Sequence, residues 1–140
     1  MGKFRLKVRC ELQLFPAQES YSNLNPVRHK NRHLFNNILS VRAEEGRATR
    51  YLEVGNWKGS TLCAALFNNP IDAVAIDNFS QFHGISFIGQ HDVSPQVALA
   101  QNIQITQALA TTPATLCLLD TDAFTVDPSE LGLFDVYFYD

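Results

Sequence analysis

From Tyr51 onward, short apolar runs alternate with stretches of helical character, and this alternation limits the folds open to the chain. The apolar runs are YLEVG, DAVAID, TLCLLD and FDVYFYD, and the helical stretches between the first three are STLCAALF and SPQVALAQNIQITQALA. Runs rich in Val, Ile, Leu and Phe are typical of strands covered on both faces. Strands that alternate with helices predict an α/β layer fold with a parallel sheet.

The first part of the chain has a different pattern. Six apolar residues alternate with polar ones from Lys3 to Leu14, which predicts a strand with one buried face: Phe4, Leu6, Val8, Cys10, Leu12 and Leu14. The following segment, PAQESYSNLNP, has the composition of a connecting loop. We therefore divide the chain into residues 1–24, an N-terminal strand and loop, and residues 25–140, which begin with a helix capped by Asn25 and ended by Gly46.

Composition and charge exclude several functional classes. All 11 Lys and Arg residues and five of the 14 acids lie in residues 1–58, whereas residues 59–140 hold nine acids and no Lys or Arg. The basic part lacks interleaved aromatics and a nucleic-acid-binding motif, so we expect no nucleic-acid partner. No apolar run reaches 18 residues, and charges interrupt the N-terminus, so we expect no membrane span, no export signal and a cytoplasmic location. The acidic part suits a cationic small ligand.

The stretch GNWKGS follows the first apolar run of the alternating region, where ligands bind in open α/β sheets. Gly55 and Gly59 permit a positive φ or a close approach of a ligand, and either Ser60 or Thr61 can cap the next helix. Trp57 stands where a dinucleotide fingerprint requires its second glycine, and Lys58 precedes Gly59 instead of following it as in a phosphate-binding loop. A tight turn that needs glycine for geometry alone is the alternative.

Asp77 ends the next apolar run, at the distance from the glycine turn expected of a carboxylate that accepts hydrogen bonds from a ribose diol. A solvated strand end or a helix cap is the alternative for this residue alone. Together with the glycine turn, the ribose role is the better interpretation.

These segments carry a resemblance to a known family. YLEVGNWKGSTLCAALFNN, AVAIDNFSQF, DTDAF and FDVYFYD resemble the class I S-adenosylmethionine-dependent methyltransferases, especially the branch that methylates hydroxyl groups of small molecules. The resemblance covers residues 51–140 and implies a Rossmann-like parallel sheet, S-adenosylmethionine as the cofactor and a small-molecule substrate.

The resemblance also implies roles for individual residues. The turn that holds the methionine end of the cofactor matches Glu53, Gly55, Asn56, Trp57, Gly59 and Ser60. The acid that takes the ribose hydroxyls matches Asp77, with Asn78 beside it. The segment that borders the adenine matches Asp122, Ala123 and Phe124. Asp140 matches an acid that binds a divalent metal ion or faces the substrate, and it is therefore the candidate catalytic and metal-binding residue.

The sequence departs from the family at its end. The family's sheet has seven strands, whereas this chain stops after the fourth, so we expect a truncated domain with an extra N-terminal strand. An apolar edge strand is prone to pair with another chain, which predicts a homodimer formed by an exchanged N-terminal strand or by the last strand. An incomplete or inactive methyltransferase is thus expected. A non-catalytic binding or assembly module and a nucleotide-dependent oxidoreductase are the alternatives.

Overall fold

The computed structural model describes residues 26–80 and 93–139. The predicted N-terminal strand and its loop, and Asp140, lie outside the described residues. Within these ranges the helices are α1 (Pro26–Glu44), α2 (Ser60–Leu66), α3 (Pro95–Leu109) and α4 (Pro128–Leu131), and a short 3₁₀ helix spans Ala123–Thr125. The strands are β1 (Thr49–Val54), β2 (Ile71–Asp77), β3 (Thr115–Asp120) and β4 (Val136–Tyr139). None of the described helices is long and apolar enough to cross a bilayer.

The four described strands form one parallel sheet in the order β3-β2-β1-β4. The chain moves outward from β1 through β2 to β3 and then returns to the other side of β1, so the sheet order reverses beside β1. This arrangement confirms the predicted α/β fold with a Rossmann-like parallel sheet and flanking helices. The carboxyl ends of β1, β2 and β3 lie at the same edge of the sheet, where such folds bind their ligands.

Three helices pack on one face of the sheet. That face presents Tyr51, Ala73 and Ala75, which are buried in one cluster with residues of all three helices: Leu39 of α1, Leu62, Ala65 and Leu66 of α2, and Leu99 and Ile103 of α3. The Phe35 ring of α1 lies edge-on to the rings of Tyr51 and Phe138, with centroid distances of 6.2 Å and 4.7 Å. The core therefore fixes the helices, and with them the loops at the carboxyl edge.

The ends of α1 and α3 carry sequence signals typical of helix ends. α1 begins at Pro26 and is followed by Gly46 in the left-handed region, with φ 68°. α3 begins at Pro95 and is capped by Ser94, whose hydroxyl accepts a hydrogen bond from the Val97 N–H at 3.3 Å. The cap fixes the start of α3 at Pro95.

Asp135 ties the segment before β4 to β1 and α1, at the amino ends of the strands. Its carboxylate accepts a hydrogen bond from the Arg50 N–H at 2.9 Å and forms an ion pair with the Arg42 guanidinium at 2.7 Å. The Arg50 guanidinium donates to the carbonyl oxygens of Leu131 and Leu133, both at 2.9 Å. The hydrogen bond from Arg50 and the charge of Arg42 lower the pKa of Asp135 below its ordinary value.

This lowered pKa predicts a pH-dependent contribution of Asp135 to stability. A carboxyl group whose folded pKa is depressed stabilises the fold above its unfolded pKa of about 3.9, and that contribution is lost as the pH falls through the folded pKa. Asp135→Asn is therefore expected to lower the urea midpoint at pH 7 but to have little effect below the folded pKa. Glu44→Gln, at an exposed site on α1, is the control. A loss in Asp135→Asn that does not change with pH would contradict this assignment.

Candidate functional site

A cleft of about 180 Å³ lies at the carboxyl edge of β1, β2 and β3. The turn after β1, the ends of β2 and β3, and the first turns of α3 supply its walls. Its described lining consists of Asn56, Ala75, Asp77, Phe79, Gln96, Leu99, Ala100, Leu118, Leu119 and Asp120. Most of these side chains are apolar, and the two charged ones in the described lining, Asp77 and Asp120, are both acids. The cleft therefore combines apolar walls with hydrogen-bond acceptors.

The glycine turn after β1 has a left-handed backbone at three positions. Gly55 has φ 85°, Trp57 has φ 45° and Gly59 has φ 76°. The Gly59 N–H donates to the Asn56 carbonyl oxygen at 2.7 Å, which closes the turn. Because residues other than glycine rarely adopt such angles, the conformation of Trp57 requires support from its surroundings.

Gly59 is buried against α3. A Cβ atom at this position would lie 2.3 Å from Cδ1 of Leu99, which is well inside van der Waals contact. The close approach at Gly59 is thus made by a side chain of the protein. The sequence predicted that a ligand would come close to the turn at Gly55 and Gly59, and both contacts stay predictions.

The Asp77 carboxylate joins the glycine turn to the end of β2. Its Oδ2 accepts hydrogen bonds from the Asn56 N–H at 2.8 Å and the Trp57 N–H at 2.9 Å, and its Oδ1 accepts one from the Phe79 N–H at 2.7 Å. The sequence argument required the turn and Asp77 to open onto one cleft, and Asn56 and Asp77 both line it. The predicted contact of Asp77 with a ribose stays a prediction.

Asn56 brings a buried acceptor to this cleft. Its residue exposure is only 5%, and its Oδ1 has no hydrogen-bond partner within the described part of the chain. Buried polar atoms in folded proteins are nearly always paired. Because Asn56 also belongs to the cleft lining, its amide oxygen is a candidate acceptor for a donor group of a ligand.

Two further members of the predicted turn lie away from the cleft lining. Glu53 is 1% exposed, and one of its carboxylate oxygens accepts a hydrogen bond from the Tyr51 hydroxyl at 2.5 Å. Burial, followed by the negative charge of Glu53, raises the pKa of Tyr51 far above its ordinary value. The predicted cap at Ser60 or Thr61 is wrong, because Ser60 is the first residue of α2 and the cap position is Gly59, which has no side chain to accept a hydrogen bond. The Ser60 hydroxyl is buried and, among the described residues, has no hydrogen-bond partner. Contacts of Glu53 and Ser60 with a cofactor stay predictions.

The segment after β3 contributes one acid to the cleft, and it is not the acid singled out from the sequence. Asp120 ends β3, pairs in register with Asp77 and lines the cleft. Asp122 instead caps the 3₁₀ helix by accepting a hydrogen bond from the Phe124 N–H at 2.9 Å, and Phe124 is 90% exposed. The described lining omits Asp122, Ala123 and Phe124, so their proximity to an adenine stays a prediction. Asn78 accepts a hydrogen bond from the Ser80 N–H at 3.0 Å.

The sequence contains signals for the lining residues that were not predicted from it. Asp120 ends the apolar run TLCLLD just as Asp77 ends DAVAID, and the carboxyl ends of parallel strands share one edge of the sheet. Gln96, Leu99 and Ala100 have the spacing i, i+3 and i+4, which places them on one face of a helix. That face lines the cleft.

The described residues provide no group of three or more His, Cys, Asp or Glu side chains arranged to hold a metal ion. Asp140, the predicted metal-binding and catalytic residue, is outside the described residues, and its role stays a prediction. Comparison of the chain with protein-family models, with curated proteins and with solved structures finds no match.

Proposed function

We propose that the chain binds S-adenosylmethionine in this cleft and belongs functionally with the methyltransferases that act on hydroxyl groups of small molecules. One observation carries the proposal. The Asp77 carboxylate binds the N–H groups of the glycine turn directly, so the two sequence features that suggested the cofactor open onto the same apolar-walled cleft. A parallel sheet alone serves many functions, and the argument therefore rests on this site.

The chemistry of the lining fits the nucleoside part of the cofactor. Three apolar side chains suit a planar ring: Phe79 after β2, Leu99 of α3 and Leu118 of β3. Asn56 and Asp120 supply acceptors for hydroxyl or amino donors. The volume of about 180 Å³ is below the roughly 300–1,000 Å³ of pockets that bury a whole drug-sized ligand. The cleft thus matches one end of the cofactor.

Charge favours the same ligand. When bound, S-adenosylmethionine supplies a methyl group on a positively charged sulfur, and its ammonium adds a second positive charge. Asp77 and Asp120 in the lining are acids, and residues 59–140 contain no Lys or Arg. Complementary charge favours a cationic ligand over the pyrophosphate of a dinucleotide. We also propose that a hydroxyl group of the substrate accepts the methyl group and that Asp140 binds a divalent ion.

Titration with S-adenosylhomocysteine and NAD in parallel tests the choice of ligand. We expect S-adenosylhomocysteine to raise the free energy of unfolding, by about 2.7 kcal/mol at 100 times its Kd, and NAD to give a smaller effect. Thermal unfolding at increasing ligand concentration measures both. Absence of a shift with S-adenosylmethionine and its product at millimolar concentration would contradict the proposal, and a preference for NAD would favour the oxidoreductase.

Methyl transfer to catechols, sugars and other hydroxyl compounds separates an enzyme from a binding module. Transfer requires the acceptor oxygen to be held near the methyl group and its proton to be removed. We expect weak cofactor binding with little or no turnover, with and without Mg²⁺, from residues 1–140 alone. Sustained product formation would exclude the non-catalytic alternative and show that the chain is catalytically competent.

We also propose that the chain forms a homodimer. β4 is an edge strand of the described sheet, and its Tyr137 and Tyr139 are 58% and 59% exposed. An exposed apolar edge pairs readily with another strand, here either the last strand of a second copy or an exchanged N-terminal strand.

Size-exclusion chromatography with light scattering measures the mass of the protein in solution and so tests the dimer. We expect a dimer for the wild type and a monomer for Tyr137→Lys, with Leu133→Ser, a 90% exposed site before β4, as the control. A wild-type monomer at about 100 μM would contradict pairing by either route, since a stable interface has a Kd well below that concentration.

A further inference from the structure

We infer that Asp77 is a positioning residue for this cleft, and that the donor groups of the ligand are accepted by Asn56 and Asp120. The inference rests on the proposed function for the identity of the ligand, but the role of Asp77 is already visible in the contacts of the protein itself. It differs from the ribose contact that the sequence suggested for Asp77.

The first argument is the backbone that Asp77 holds. Trp57 and Phe79 have φ angles of 45° and 52°, in the left-handed region that residues other than glycine rarely adopt. Each donates its N–H to the Asp77 carboxylate, at 2.9 Å and 2.7 Å. Trp57 belongs to the turn after β1 and Phe79 is the second residue after β2, so one carboxylate holds both of these positions beside the cleft. Such conformations persist where the surrounding structure imposes them.

The second argument is the number of hydrogen bonds that Asp77 still has available. A carboxylate offers about four acceptor positions, two on each oxygen. The N–H groups of Asn56 and Trp57 use both positions on Oδ2, and the Phe79 N–H uses one on Oδ1. A ribose diol that binds a carboxylate with one hydroxyl on each oxygen needs a position on both. Asp77 therefore cannot accept a diol in this way without releasing a loop.

The third argument is the presence of acceptors on both sides of Asp77. Asn56 Oδ1 is buried and has no partner among the described residues. Asp120 is exposed, ends the neighbouring strand and lines the same cleft. Both side chains reach the lining without being required to hold a left-handed residue, so both can accept donors from a ligand.

Fluorescence of the single tryptophan, Trp57, tests the positioning role without any ligand. Asp77→Asn removes charge and replaces one acceptor oxygen with a donor, so the turn is expected to loosen. We expect a shift in Trp57 emission and at least a twofold rise in acrylamide quenching. Asp120→Asn, the same change on the adjacent strand end, is the control and is expected to keep the wild-type emission. Wild-type emission and quenching in Asp77→Asn would overturn the inference.

Adenosine and 2′,3′-dideoxyadenosine test which residue accepts the ribose hydroxyls. Asp77→Asn is expected to weaken binding of both nucleosides by the same factor, because it disturbs the walls of the cleft. A loss at least tenfold larger for adenosine would show direct diol binding by Asp77 and overturn the inference. Asp120→Asn is expected to lower the affinity for adenosine at least tenfold and to leave the Trp57 emission unchanged. An unchanged affinity for adenosine would remove Asp120 from the proposed contacts.

Two results keep the inference separate from the proposed function. If wild-type protein binds neither nucleoside nor S-adenosylhomocysteine, the proposed function fails, whereas the Trp57 emission still decides the role of Asp77. If Asp77→Asn does not fold, amide exchange in the ligand-free wild type replaces it. We then expect slow exchange of the N–H groups of Asn56, Trp57 and Phe79, and fast exchange of all three would overturn the positioning role.

Discussion

Replacement of Gly59 with alanine is expected to destabilise the folded protein by about 2–5 kcal/mol. Two costs add: a left-handed backbone at a residue with a Cβ costs about 1–2 kcal/mol, and overpacking of a buried contact costs about 1–3 kcal/mol. The structure shows both, since Gly59 has φ 76° and its added Cβ would lie 2.3 Å from Cδ1 of Leu99. The substitution therefore probes the packing of α2 against α3.

Urea unfolding at equilibrium measures this loss, and two comparisons assign it. Gly46→Ala has a similar backbone cost, since its φ is 68°, but the space around its added Cβ is open to at least 4 Å. It should lose only about 1–2 kcal/mol. Leu99→Ala in the Gly59→Ala background removes the overlapping atom, so the double variant should lose less than the sum of the single variants. Equal losses at Gly59 and Gly46 would contradict the packing role of Gly59.

Replacement of Glu53 with alanine is expected to destabilise the fold by about 2–4 kcal/mol. The Tyr51 hydroxyl donates to Glu53 at 2.5 Å, and both residues are almost fully buried, at 0% and 1% exposure. Removal of the carboxylate leaves the buried hydroxyl without this acceptor, which costs about 1–3 kcal/mol. The space left by the lost side-chain atoms adds to that cost.

A double-mutant cycle with Tyr51→Phe identifies the pair as the source of this loss. Once Tyr51→Phe has removed the hydroxyl, Glu53→Ala should cost less than it does in the wild type. The same proteins separate packing from ligand binding when they are titrated with S-adenosylhomocysteine. If Glu53 acts through packing, the folded fraction of Glu53→Ala retains most of the wild-type affinity. Additive losses in stability together with abolished binding would instead support the cofactor contact suggested by the sequence.

Much of the fold could be predicted because its signals are local. The short apolar runs, the helical patterns, the cap at Ser94 and the stop at Gly46 all lie within single segments of the sequence. The comparisons found no matching protein, so the described sheet is the finding that confirms the predicted parallel α/β fold. The strand order β3-β2-β1-β4 was not predicted, because it depends on which strands pair with one another.

The site was predicted less completely because it depends on contacts between distant segments. The sequence identified Asn56 and Asp77, but the hydrogen bonds between Asp77 and the turn span 20 and 21 residues. The close packing of Leu99 against Gly59 likewise joins residues 40 positions apart, and no local pattern predicts it. Asp120 was missed because Asp122, two residues later, matched the family pattern. Only the packing of α3 over the strand ends distinguishes the two acids.

The central claim is that one cleft, bounded by the glycine turn, Asp77 and α3, receives an adenosyl ligand. A crystal structure of the protein soaked with S-adenosylhomocysteine tests it most directly. We predict density for the nucleoside between Phe79 and Leu99, with ligand donors within hydrogen-bond distance of Asn56 and Asp120. Density at another site, or a cleft that stays empty at saturating ligand while a side chain fills the space between Asn56 and Asp77, would contradict the claim.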